Sequence, residues 1–162
     1  MITNFHEYDH YFFMQEALKE AEEAGKRGDR PIGAVIVHNG TIIARGSNRI
    51  NTMDNVLEHA EINAMNACAS YLRKHSRECI LYTTVEPCIM CLSTIIVANI
   101  HNVVFAVEDK YMDMAQFINS STYIKKRLLH YHGGVLAEES SQILKTHSPF
   151  MAEVVLNGRI PS

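Results

Sequence analysis

The chain has 162 residues, 47% of them hydrophobic, with four cysteines, no tryptophan and a formal charge of −3. This length suits a single domain over residues 1–162, with a core that needs no disulfide staples, and so few cysteines fit a reducing compartment. The mildly acidic balance excludes a global basic field that gathers nucleic acid; no run reaches the ~20 apolar residues of a membrane span, and without a leader pattern the expected location is cytoplasmic.

Residues 10–24 are predicted as an amphipathic helix, with Tyr11, Met14, Leu18 and Ala21 at helical spacing and Gly25 as its terminator. The aromatics Tyr8, Tyr11, Phe12 and Phe13 spread beyond one stripe and read as core or subunit contact. Ile32 to His38 and Thr41 to Ser47 are β-branched runs joined by Asn39-Gly40, a strong hairpin signal. After a polar connection, Glu58 to Lys74 reads as one helix with His59 and Glu61 in its first turn; Glu58 reads as an acid favoured by the helix start. Glu78 to Val85 reads as a buried strand, Cys88 to Ala98 as a helix and His101 to Val107 as a further strand. That order makes a parallel pair, so the expected fold is a three-layer α/β/α arrangement around a mixed five-stranded sheet. Beyond Val107 the pattern predicts a short helix within 108–119, a fifth strand near Arg127 to Tyr131, and two closing helices, Ala137 to Lys145 and Pro149 to Leu156.

Chemistry concentrates in two words, His59-Ala60-Glu61 and Pro87-Cys88-Ile89-Met90-Cys91. Zinc favours thiolate and imidazole in a tetrahedron, and a catalytic site supplies three protein ligands and leaves one corner for water. His59, Cys88 and Cys91 make that set, one zinc ion per chain. The cysteines are spaced i, i+3, so both sulfurs share a face at a helix start, where the dipole favours the thiolate. Glu61, turned roughly 200° from His59 if both are helical, is left as the proton carrier. The backbone N–H of Ala60, near the same helix start, is available to hold a substrate oxygen.

A redox pair of the thioredoxin kind does not require the upstream His-x-Glu. A closed structural zinc site needs a fourth protein ligand, and Cys68 and Cys79 lack partners and read as small core residues.

The H-x-E and P-C-x-x-C words resemble the signature of zinc deaminases acting on nucleobases. Together with Pro31 to Val37, Gly46-Ser47-Asn48 and Leu81 to Glu86, they make the chain similar to the cytidine-deaminase-like superfamily over about Ile32 to Val107. The branch it resembles holds tRNA adenosine deaminases, guanine deaminases and fungal-type cytosine deaminases. The resemblance implies hydrolytic deamination with release of ammonia, a substrate contact from Asn48, pocket walls from Phe117, Tyr123 and Phe150, and a homodimer, for which the apolar stretch Ile95, Ile96 and Val97 offers an interface. The charge favours a small substrate, a nucleobase or nucleoside of guanine or cytosine type. The alternative is the wobble adenosine of tRNA, favoured by the local Lys125-Lys126-Arg127 and Arg73-Lys74-Arg77 clusters and by the helical ending. Against it stands a departure: Asp109-Lys110-Tyr111-Met112-Asp113-Met114 replaces the Gly-rich, Ser-containing loop of those enzymes. A third reading is a non-catalytic zinc-containing domain that binds nucleic acid or protein.

Overall fold

A computed structural model of the chain describes residues 2–162. Helix α1, His10–Arg27, starts where Asp9 accepts a hydrogen bond from the N–H of Phe12 at 3.0 Å, and ends at Gly28, whose φ of 86° suits a residue without Cβ. Gly25 is therefore not the terminator. It lies inside the helix, where a Cβ would come within 2.4 Å of the His147 ring; it is small because another helix crosses there. Phe13, Met14, Ala17, Leu18, Ala21 and Ala24 form the buried stripe, while Tyr11 and Phe12 face solvent.

Strands β1, Gly33–His38, and β2, Thr41–Ser47, pair antiparallel. Asn39 and Gly40 both take positive φ, 48° and 74°, as a two-residue hairpin turn demands. The helix expected from Glu58 to Lys74 is two helices, α2 (Ala60–Ala67) and α3 (Ala69–His75), separated at Cys68. No Gly or Pro marks that break in the sequence. It is made by packing, since Ala64, Met65, Cys68 and Leu72 all reach the same apolar cluster beneath the sheet.

Strand β3, Cys79–Val85, is buried along its whole length. It leads through α4, Ile89–Val97, into β4, Asn102–Val107, which runs parallel to it. Two short helices follow, α5 (Met114–Ser120) and α6 (Thr122–Arg127), before β5, His130–His132, which is also parallel to β4. The fifth strand is thus shorter than expected, and Arg127 belongs to a helix. Helices α7 (Ala137–His147) and α8 (Pro149–Asn157) close the chain.

The sheet order is β2-β1-β3-β4-β5, antiparallel on one side of β3 and parallel on the other. Helices α1 and α7 cover one face, with Val35, Val37, Ile80 and Val104 beneath them. Helices α2 and α4 cover the opposite face, over Ala34, Ile36, Leu81 and Val103. The three-layer mixed-sheet expectation holds. Each fully buried Ile or Leu in these layers contributes about 1.5–3 kcal/mol through loss of hydrated apolar surface. Helix α8 packs Met151, Ala152 and Val155 against Val85 and Val107, so it roofs the ends of β3 and β4.

Candidate metal centre

Two helix starts meet beyond the end of β3. His59 is the extended residue that caps α2 (φ −77°, ψ 151°); Cys88 is the extended residue that caps α4, and Cys91 lies in the first turn of α4. Pro87 precedes the cap instead of sitting inside the helix. His59 Nδ1 lies 3.6 Å from Cys88 Sγ and 3.4 Å from Cys91 Sγ. A tetrahedral zinc with bonds of about 2.3 Å to sulfur and 2.0–2.1 Å to nitrogen requires a sulfur-to-nitrogen separation of about 3.6 Å. The donor set and its spacing fit that ion.

Glu61 is closer to the ligands than a regular helix would place it. Because His59 is extended, the two side chains are not separated by a helical rotation: Glu61 Oε2 sits 3.4 Å from Cys91 Sγ. Its Oε1 lies 3.2 Å from Thr83 Oγ1, which is also 3.1 Å from the Val85 carbonyl. A hydroxyl has one proton, so when Thr83 donates it to Val85, a protonated Glu61 completes the bond to Thr83. Burial raises the Glu61 carboxyl above its usual range, in the same direction.

The thiols share their protons unequally. A hydrogen bond from Cys91 outweighs burial and, with the His59 ring, brings Cys88 down to about 4, while Cys91, bonded to Cys88, buried and beside Glu61, is pushed up. The bond to Cys88 raises the His59 imidazole in turn. Such a cluster holds protons where a divalent cation would displace them. Among the described residues no fourth closing ligand is at hand: Cys68 and Cys79 are buried and donate their S–H groups to the carbonyls of Ala64 and His75.

A cavity of about 220 Å³ opens from His59 and Cys88, with Arg30, Glu86, Asp109 and Phe150 in its wall. Of the expected pocket residues, Phe150 is there. Phe117 and Tyr123 are not: Phe117 packs on Leu92, Ile96, Met114 and Ile124, and Tyr123 lies under the Arg127 guanidinium, 3.6 Å from the ring centre. Asn48 does not line the cavity either. Its Oδ1 accepts the N–H of Ile50 at 3.1 Å, the turn-forming role of asparagine. Ala60, the first residue of α2, keeps its N–H among the helix-start donors that no intrahelical carbonyl satisfies.

Sequence reasoning missed Glu86 and Asp109 as wall residues. Glu86 accepts from Tyr131 Oη at 2.7 Å and from the Asp109 N–H at 3.0 Å, and Asp109 accepts from the N–H groups of Tyr111 and Met112. Burial raises both carboxyls. The usable signal was Glu86 itself, a carboxylate directly after a strand that is buried along its whole length. A larger cleft of about 710 Å³ lies beyond Glu86 and holds neither His nor Cys. Ile95 and Ile96, expected at an interface, are core; Ile89 and Val97 are the exposed apolar residues of α4.

A histidine and two cysteines at facing helix starts, with a buried carboxyl beside them in an α/β/α domain, define the zinc-dependent deaminase class of hydrolase. The family model for the cytidine and deoxycytidylate deaminase zinc-binding region matches residues 7–107, and the chain belongs to that family. It is 33% identical over 138 residues to a tRNA-specific adenosine deaminase of Agrobacterium fabrum, covering 82% of this chain and 90% of that protein. A tRNA-specific adenosine deaminase of Aquifex aeolicus is 38% identical over 100 residues, 61% of this chain and 66% of that protein. Among solved structures, one from a study of A-to-I editing by tRNA:A34 deaminases at the wobble position superposes with a TM-score of 0.69 at 34% identity, over 82% of this chain and 99% of that one. A guanine deaminase from Bacillus subtilis superposes at 0.58 with 38% identity, over 67% of this chain and 69% of that one. The non-catalytic reading gains no support from these likenesses, and among the described residues no helix is long and apolar enough to cross a membrane.

Proposed function

We propose that the chain hydrolyses the wobble adenosine of tRNA to inosine, releasing ammonia. The observation that carries this reading is the alignment with tRNA-specific adenosine deaminases across 90% of the Agrobacterium protein. It replaces the expectation of a free base or nucleoside, which rested on the acidic charge of the chain. Net charge is a weak guide here because a base extruded into a pocket needs only local phosphate contacts.

His59, Cys88 and Cys91 hold the zinc in this reading. Zinc, when bound, acidifies water toward hydroxide near neutral pH. Glu61 carries the protons at the carboxyl facing Cys91: it takes the first proton of the attacking water and gives it to the ring nitrogen, then takes the second from the resulting hydroxyl and passes it to the departing amine, so adenosine and water become inosine and ammonia. A carboxyl whose pKa is raised by burial suits that exchange. Phe150 offers a face for the base, Arg30 a cation for the backbone, and the Ala60 N–H a donor to the attacking oxygen.

The Lys125, Lys126 and Arg127 cluster ends α6 and remains available for phosphate. Arg73 and Lys74 lie in the last turn of α3, alongside the far end of β1, away from the cavity. A second copy of the chain would cover Ile89 and Val97 in a dimer, which sedimentation would detect.

A tRNA with adenosine at the wobble position, incubated with the purified chain, is expected to gain inosine, and Glu61→Gln to abolish this while zinc stays bound. Binding should weaken as salt rises, because each phosphate contact adds to the slope. A chain that leaves the tRNA unchanged but releases ammonia from guanine would favour a second reading. The Glu86 and Asp109 carboxyls in the cavity wall support it, since guanine presents N–H donors that such acceptors recognise.

A further inference from the structure

The sheet carries a second cluster of metal-ligating side chains at the end away from the centre described above. His38 closes β1, His75 closes α3, and Glu78 closes the 3-10 turn Ser76–Glu78 that follows. Their donor atoms all lie within 4.8 Å of one another. His38 Nε2 is 3.1 Å and His75 Nδ1 is 3.8 Å from the same oxygen, Glu78 Oε2. Zinc with bonds of about 2.0–2.1 Å to nitrogen and oxygen needs tetrahedral edges of about 3.3 Å, between those two values. His38 lies five residue steps along β1 from Gly33, roughly 17 Å at about 3.4 Å per step.

A fourth side chain makes the arrangement more than a surface ion pair. Tyr71 Oη lies 2.7 Å from His38 Nδ1, and a phenol both donates and accepts. With the proton on Nε2, His38 donates to Glu78 and Tyr71 donates to Nδ1. With the proton on Nδ1, Tyr71 accepts it, and Nε2 turns a lone pair toward the space in front of the Glu78 carboxylate. The second tautomer is that of a metal-bound histidine held by an outer partner. His38 is buried, whereas His75 and Glu78 are 38% and 51% exposed, so a cation has an open approach and a free fourth corner for water.

The geometry points to a second zinc site at His38, His75 and Glu78, with Tyr71 as its outer hydrogen-bond partner, tying the end of α3 to the end of β1. Its ligands are two imidazoles and a carboxylate, with no thiolate. It is independent of the substrate assigned above.

Equilibrium dialysis of the full chain against Zn2+ is expected to load two ions per chain, and one in each of His75→Ala and Glu78→Gln. Cobalt reports the ligands: the second equivalent of Co2+ should add visible d–d absorption without any added thiolate charge-transfer band. Both substitutions lie at exposed positions, and turnover of the wild-type kind shows that the variants are folded. A wild-type chain that loads a single zinc ion overturns the proposal. So does a second equivalent that persists in both variants, or one that brings new thiolate absorption.

Discussion

Gly46→Ala tests how the metal centre is held in place. Gly46 lies in β2 directly under α2, and a Cβ there would sit 2.2 Å from the Ala60 carbonyl oxygen, 2.4 Å from the Ala64 nitrogen and 3.0 Å from the Ala64 Cα. All three are backbone atoms, so no rotamer change relieves the overlap. Moving the carbonyl from 2.2 Å to an ordinary 3.4 Å contact requires α2 to shift by 3.4 − 2.2 = 1.2 Å relative to β2. Overpacking of this kind costs about 1–3 kcal/mol, which in a chain of this size lowers Tm by about 2–12 °C. The same shift carries His59 and Glu61, at the start of α2, away from Cys88 and Cys91 on α4. A misplacement of about 1 Å costs on the order of 100-fold in rate. Thermal unfolding, zinc content and turnover should therefore all fall, turnover most. A variant with unchanged Tm and full turnover would refute the claim that close approach of helix and strand sets the site.

Further outcomes follow from other contacts. Glu61→Gln should lose turnover by at least the 10²–10⁴-fold that general acid–base catalysis typically contributes; zinc content measured alongside should be unchanged, and retained activity would remove Glu61 from its role. Chelator should extract the catalytic zinc faster at pH 5 than at pH 8, because protons compete for His59 and the two sulfurs; equal rates would speak against that ligand set. Tyr131→Phe deletes the donor at 2.7 Å from the buried Glu86 oxygen and should cost about 1–3 kcal/mol in denaturant unfolding. Asp29 accepts from the N–H groups of Asn51 and Thr52, from the Thr52 hydroxyl and from Arg27. Burial works against its charged form, but these bonds prevail and hold its carboxyl below the usual range. Its stabilisation is therefore complete above about pH 4 and is lost as pH falls through the depressed value. Asp29→Ala should cost about 2–3 kcal/mol at pH 7, and a difference that persists unchanged at pH 2 would contradict the ionic origin.

The local code alone determined the hairpin at Asn39-Gly40, the parallel β3–β4 pair and the donor set of His59, Cys88 and Cys91. Turn chemistry, strand periodicity and ligand spacing are short-range properties that a few consecutive residues express without reference to the rest of the chain. The position of Glu61 was not legible in that way, since His59, two residues before it, takes an extended conformation only because it caps a helix against the neighbouring one. Gly25 looked like a helix end, yet it is a crossing point for α7, more than a hundred residues later. Phe117 and Tyr123 carry the composition of a pocket wall, but the first packs half-buried against an apolar cluster and the second lies beneath an arginine of its own helix. Tertiary structure alone brought Glu86, Asp109 and Phe150 to one cavity, and His38, Tyr71, His75 and Glu78 to one end of the sheet. Burial and long-range contact are properties of surfaces that meet only after the layers have packed.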